Sequence, residues 1–312
     1  NPGREISLPR VTAMESRSKL VQMQVSADVT FCNPAVLALR RLQRSSDLLS
    51  GAIGGPLVVG VLSPHRNGMT LAAKDTISSF AGVYRQVFSA GFSKGWRGGS
   101  VPALAAMPQF TAIGPVFLWT EQRFGSTSVA VLTASLAESL FTYGAQRRNA
   151  VIQYNATRVC ASEHVALQSM YRLAGPGFVP HVSRNMFAMM GIRLFSPHSY
   201  EIVCRVPGTA NLSEGSRRLT ADLASSVVAA TLSMPFNHAF SWAACTPELE
   251  RMGYLERGQS MGKWLVGNYR DKGMGLLARD LTIRIHYVAL LFTAYRVVER
   301  SLLELSRADD LF

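Results

Sequence analysis

Apolar and polar residues fall in long blocks along this chain. Gly98 to Thr120 and Leu223 to Pro247 carry no Asp, Glu, Lys or Arg, and each exceeds the roughly 20 residues that a bilayer-spanning helix needs. Leu48 to Pro64 and Gly125 to Ala137 are also charge-free but shorter. Met186 to Tyr200 is interrupted by Arg193, and Ile285 to Tyr295 lies between Arg284 and Arg296. Hydropathy alone therefore commits to two spanning helices and leaves four candidates. Their Pro, Gly, Ser and Thr are tolerated where neighbouring helices satisfy the freed backbone groups.

A threefold internal pattern decides for six. Three apolar runs reach a helix breaker at Pro64, Gly144 and Pro235. Fourteen and ten residues before each breaker stand small residues: Ser50 and Gly54, Ala130 and Ala134, Ala221 and Ser225. Spaced four apart, small residues let helix backbones approach closely in a membrane. Each breaker is followed by an amphipathic stretch, a Tyr-Arg pair and two glycines: Tyr84-Arg85 with Gly91 and Gly95, Tyr171-Arg172 with Gly175 and Gly177, Tyr269-Arg270 with Gly273 and Gly275. A second apolar span then ends near an acid and an aromatic ring. The unit is span, amphipathic helix, glycine turn, span. The predicted boundaries are an extension over 1–46, repeats over 47–125, 126–205 and 206–300, and a tail over 301–312.

Composition agrees with a membrane setting. The chain is 48% hydrophobic and only 17% charged, against about 25% charged in average soluble chains. It carries a net charge of +12, with 27 of its 32 cations arginine. These cations are spread between apolar runs rather than clustered with aromatics, which argues for an anionic membrane and against nucleic acid. Cys32, Cys160, Cys204 and Cys245 form no CxxC, and no acidic or His/Cys cluster predicts a metal. No phosphate-loop, dinucleotide or hydrolase motif is present, so neither an enzyme nor a cofactor is expected. His164, beside Glu163, is expected on the surface of the second amphipathic helix. No cleavable secretory signal is legible at the start. Arg40, Arg41 and Arg44 precede the first span, where basic residues set orientation or meet anionic headgroups.

In this organisation Leu49 to Arg300 resembles the mitochondrial carrier family. The most specific window is Gly91-Phe-Ser-Lys-Gly-Trp-Arg-Gly98 with Pro102, Pro108, Ala112-Ile113 and Glu121. The resemblance implies an all-α membrane fold of six spans in three pseudo-repeats with short matrix-side amphipathic helices, in the inner membrane. It also implies phosphate contacts of cardiolipin at the glycine turns, placed here at Trp96, Arg97, Gly98, Gly175 and Gly275.

The family's matrix gate is an acid and a base that follow each breaker and pair between repeats. Here those positions hold Arg66 and Met69 after Pro64, Gln146 and Asn149 after Gly144, and Asn237 and Phe240 after Pro235. Every acid is replaced. Hydrogen bonds among Gln146, Asn149 and Asn237 are the alternative closure. On the opposite face Glu121, Glu201, Arg205, Arg296 and Glu299 are candidates for pairing. Midway, Arg284, Arg193 and Arg184 are candidate cavity residues, because ionisable groups inside a membrane are functional by default. A cavity of cations without an acid suits an anionic solute.

Two functional readings follow. The preferred one is a carrier-fold subunit that has lost transport and serves a respiratory or ATP synthase assembly, with the extension over 1–46 meeting protein partners. The other is an active carrier for a small anionic metabolite.

Overall fold

The computed structural model describes residues 50–74, 79–209 and 211–308, with the side chains of 51–73, 79–209 and 211–294. The predicted extension over 1–46 and the side chains of Ser50, Arg296 and Glu299 lie outside these. Among the described residues every regular element is a helix.

A π-helical turn over Ser50–Gly54 leads into α1 (Gly55–Val61), which breaks at Leu62 before α2 (Ser63–Lys74). Pro64 stands in the first turn of α2, where a missing N–H costs nothing. The short α3 (Phe80–Val87) starts where the Ser79 hydroxyl accepts the Gly82 N–H at 3.0 Å, satisfying one orphan donor. Two long helices follow, α4 (Ser100–Phe124) and α5 (Thr127–Asn155), joined at Gly125 with φ 62°. Next come α6 (Phe178–Met190), a π-helical turn over Gly191–Phe195 and α7 (Ser196–Arg205). The last two are α8 (Glu214–Ala244) and α9 (Tyr254–Ala308), the latter sharply bent at Gly273.

Three glycines with positive φ mark corresponding places. Gly98 (70°) precedes α4, Gly177 (83°) precedes α6, and Gly273 (66°) makes the bend of α9. An L side chain is strained there, so the threefold sequence pattern has a backbone counterpart. Of the expected glycines, Gly177 and Gly273 carry the positive φ, Gly175 opens the second turn with its carbonyl accepting the Phe178 N–H at 3.0 Å, and Gly275 lies in α9 just beyond the bend. A Cβ on Gly175 would meet the Tyr143 Oη and an Arg172 nitrogen at 2.8 Å, whereas one on Gly275 would meet nothing within 4 Å.

The second repeat departs from expectation twice. Gly144 does not end a helix; α5 runs through it. It is small because the following loop lies on it: a Cβ there would come within 2.5 Å of the Met170 carbonyl oxygen and 2.7 Å of the Arg172 nitrogen. Nor does an amphipathic helix follow α5. Ala161–Glu163 is one 3-10 turn with exposed side chains, and His164 beyond it is exposed in extended backbone. Gly144→Ala is therefore expected to lose about 1–3 kcal/mol, because backbone cannot move aside as a side-chain tip can. Gly114→Ala, in the open on α4, loses nothing. Thermal unfolding of both variants in the same detergent checks this.

Polarity is inverted. Along α5, Leu132, Leu136 and Leu140 are exposed, while Ser135, Ser139, Thr142 and Asn149 are buried. Along α8, Leu223 and Val227 face outward and Ser225, Ser226, Ser233 and Asn237 inward. Two helices, α4 and α8, are long and apolar enough to cross a membrane. Only 22% and 39% of their most apolar windows are buried, which is not how a soluble core helix presents its surface.

Helix contacts run through small residues, as close membrane packing requires. Gly51 and Gly55 lie against Phe110 of α4, where a Cβ would meet its atoms at 2.8 Å or less. Ala130 and Ala134 are fully buried beside Phe117 and Met189. A Cβ on Gly191 would meet that of Ala229 on α8 at 2.7 Å.

Candidate functional site

Segments of α2, α6 and α9 meet around a small cavity of about 90 Å³. Three buried guanidiniums line it, one from each third of the chain: Arg66 on α2, Arg184 on α6 and Arg284 on α9. Counted from the turn glycines, Gln109, Ala188 and Arg284 occupy equivalent places, eleven residues on, and all three line the cavity.

Neutral partners hold these arginines. Arg184 donates to Asn237 Oδ1 at 2.9 Å and lies over the Phe240 ring at 4.2 Å. Arg284 donates through Nε and Nη2 to Ser233 Oγ at 3.1 and 2.9 Å, and its Nη1 reaches Met69 Sδ at 3.7 Å. Arg66 donates through Nη2 to the Tyr287 hydroxyl. Its Nη1 is buried with no hydrogen-bond partner, although Arg66 is only 7% exposed. A buried donor left unmade costs more than a formed bond returns.

These positions correct several expectations. Arg66 lines the cavity together with the other expected gate positions, Met69, Gln146, Asn149, Asn237 and Phe240. Arg193 is absent from the cavity lining and has its guanidinium over the Phe117 ring at 4.6 Å. The cavity is not free of acid: Glu138 of α5 lines it, hydrogen-bonded through Oε1 to the Gln109 amide of α4 at 2.7 Å. Glu138 lies within an apolar stretch, eight residues before Gln146 on the same helix face, and that periodicity was the signal available for it. On the opposite face Glu121 accepts the Thr127 hydroxyl at 2.7 Å. Glu201 and Arg205 are exposed, and no ion pair joins them among the described residues.

One end of the cavity is closed, though not by the expected set. Gln146, Asn149 and Asn237 do not bond one another. Asn149 donates to Asn67 Oδ1 at 3.3 Å, tying α5 to α2. Asn67 donates to the Gly95 and Arg97 carbonyls, and Gln153 donates to that of Arg97 at 2.6 Å. The Trp96-Arg97-Gly98 turn thus offers its backbone to the closure. Gly98 is required there, since a Cβ would lie 2.7 Å from Asn149 Oδ1.

Two ionic clusters complete this end, both away from the family's motif positions. In the first, Asp280 of α9 is within 2.8 Å of Lys272 and also bonds Arg279, with His238 of α8 at 3.5 Å. Lys272 and Arg279 reach on to the carbonyls of Ala72 and Ala73, capping the C-terminal turn of α2 with positive charge. In the second, Glu250 receives Arg147 and Arg172, each at 2.8 Å, and Gln168 bridges both arginines. This cluster ties α5 to the turn that follows α8.

Burial works against the Glu250 charge, but hydrogen bonds from Arg172 and Gln168 and the positive charges of Arg147 and Arg172 outweigh it. They hold the carboxyl down at about 2, from 4.5. A lowered folded value means the contribution is present above the unfolded value and vanishes as pH falls through the folded one. Glu250→Gln is therefore expected to be less stable than wild type at pH 7, and the gap between their unfolding midpoints should close between about pH 4.5 and 2. A gap independent of pH would assign Glu250 a packing role only.

Comparison with protein-family models, with curated proteins and with solved structures finds no match to the chain.

Proposed function

We propose that this chain is a divergent carrier-type protein of the mitochondrial inner membrane that binds and exchanges a small anion. In this reading α1–α2, α4, α5, α6–α7, α8 and the second half of α9 are six spans in three pseudo-repeats. The observation that carries the anion reading is the convergence of Arg66, Arg184 and Arg284 on one cavity, where a single carboxylate opposes three cations. Buried charges are costly unless paired, and an anionic ligand would supply the missing counter-charge through charge-assisted hydrogen bonds.

The replaced motif acids do not argue against a working gate, because the Asp280 cluster ties α9 to α2 and α8, and the Glu250 cluster ties α5 to the turn after α8. A transport cycle requires two states of comparable energy, each closed by contacts that can break. The half-exposed Glu250 cluster suits that role.

A second reading keeps the fold and drops transport: an accessory subunit of a respiratory or ATP synthase assembly. The depth of the Asp280 cluster favours it, since a latch buried this fully resembles a static clamp. Reconstituted vesicles loaded with phosphate, sulfate, dicarboxylates or tricarboxylates separate the two. Saturable exchange of a labelled anion is the expected result. No exchange with any of them, together with migration only inside a larger native complex, would overturn the carrier reading in favour of the subunit.

A further inference from the structure

Glu138 is the acid in the cavity wall. It sits on α5 eight residues before Gln146, away from the closed end marked by Arg147 and Glu250. Its Oε1 accepts from Gln109 on α4. The charged or titratable groups of the packed helices are Arg184 and His181 on α6, Arg66 on α2, and Arg284 and Tyr287 on α9. His181 is turned to the Thr142 hydroxyl at 3.0 Å. From α4 and α8 the cavity receives only neutral polar groups, among them Gln109, Asn237 and Ser241.

With the cavity empty, Glu138 is the acid that shares it with the arginines; its charge is felt at Arg184, and no ion pair joins it to any of the three among the described residues. An anion entering the same space competes with it for them, and two negative charges in one enclosed site disfavour ionisation of the weaker acid. We propose that anion binding in this cavity is proton-linked: as the anion settles against Arg66, Arg184 and Arg284, Glu138 takes up one proton from water at the cavity mouth. The bond formed is the Glu138 O–H. The neutral acid keeps its Gln109 contact and gains a donor for the anion, and the cavity takes in one anion and one proton together. This rests on the anion reading above.

Sulfate is the probe, because it stays a dianion across the range measured. Binding of labelled sulfate to the full-length protein in detergent is followed from pH 5.5 to 8. The expected result is an affinity that weakens with rising pH, most steeply at the alkaline end of the range, where the slope approaches tenfold per unit and proton uptake in weakly buffered solution approaches one per sulfate bound. Glu138→Gln is expected to bind as tightly as wild type does at low pH and to show no pH dependence. Sulfate binding without proton uptake in wild type overturns the proton link alone and needs no variant to fold. A slope retained in Glu138→Gln overturns it as well. Absence of sulfate binding at every pH overturns the anion reading and this inference with it.

Discussion

Asp280→Asn is expected to be the most damaging single substitution in the described chain, costing about 3–5 kcal/mol, the range for removing one partner of a buried ion pair. The carboxylate is 4% exposed and is the shared acceptor for Lys272, Arg279 and His238. An asparagine of the same shape keeps one acceptor oxygen and loses the charge, taking the shared carboxylate away from two buried cations that also reach the Ala72 and Ala73 carbonyls. A surface pair of the same geometry would contribute less than about 1 kcal/mol, so the size of the effect reports the burial. Thermal unfolding in detergent reads it. The double variant Lys272→Met with Asp280→Asn should recover part of the loss, because it removes a stranded charge. A fall below about 1 kcal/mol in Asp280→Asn would place this cluster outside the closed end.

Arg66→Met should separate binding from stability. Arg66 gives one hydrogen bond to Tyr287 and keeps a buried nitrogen without a partner. Replacing a buried, poorly paired cation by an apolar group of similar length is often neutral or stabilising, so the variant is expected to unfold at or above the wild-type temperature. Anion binding should weaken about 10- to 100-fold, since a hydrogen bond to a charged group contributes about 1.5–3 kcal/mol. Unchanged anion affinity would remove Arg66 from the binding set. A severe loss of stability would make it a structural residue.

The helical class was legible from the block pattern, and α4 and α8 from hydropathy alone. The other long helices were legible only through the threefold repetition, because their inward faces carry Arg, Asn, Gln and Ser and lower the mean hydropathy. Arg184 and Arg284 were visible as ionisable residues inside apolar stretches. Arg66 was read as a gate residue from its position relative to Pro64; the structure adds its place in the cavity wall, donating to the Tyr287 hydroxyl. The Glu250 cluster could not be read because its ion pairs join residues remote in sequence, Arg147 and Arg172 with Glu250. Gly144 misled for a related reason: a glycine needed for close approach of a distant loop has the same letter as one that ends a helix.

The central claim is that the segment from α6 through α7 crosses a membrane, so that its two ends face opposite sides. Cys160, after α5, and Cys204, at the end of α7, are both exposed thiols, whereas Cys245 is buried. With Cys32 replaced by serine, a membrane-impermeant maleimide is applied to sealed native-membrane vesicles of one orientation. The account predicts that one of Cys160 and Cys204 is labelled in intact vesicles and the other only after permeabilisation. Labelling of both from the same side of the intact membrane would contradict it.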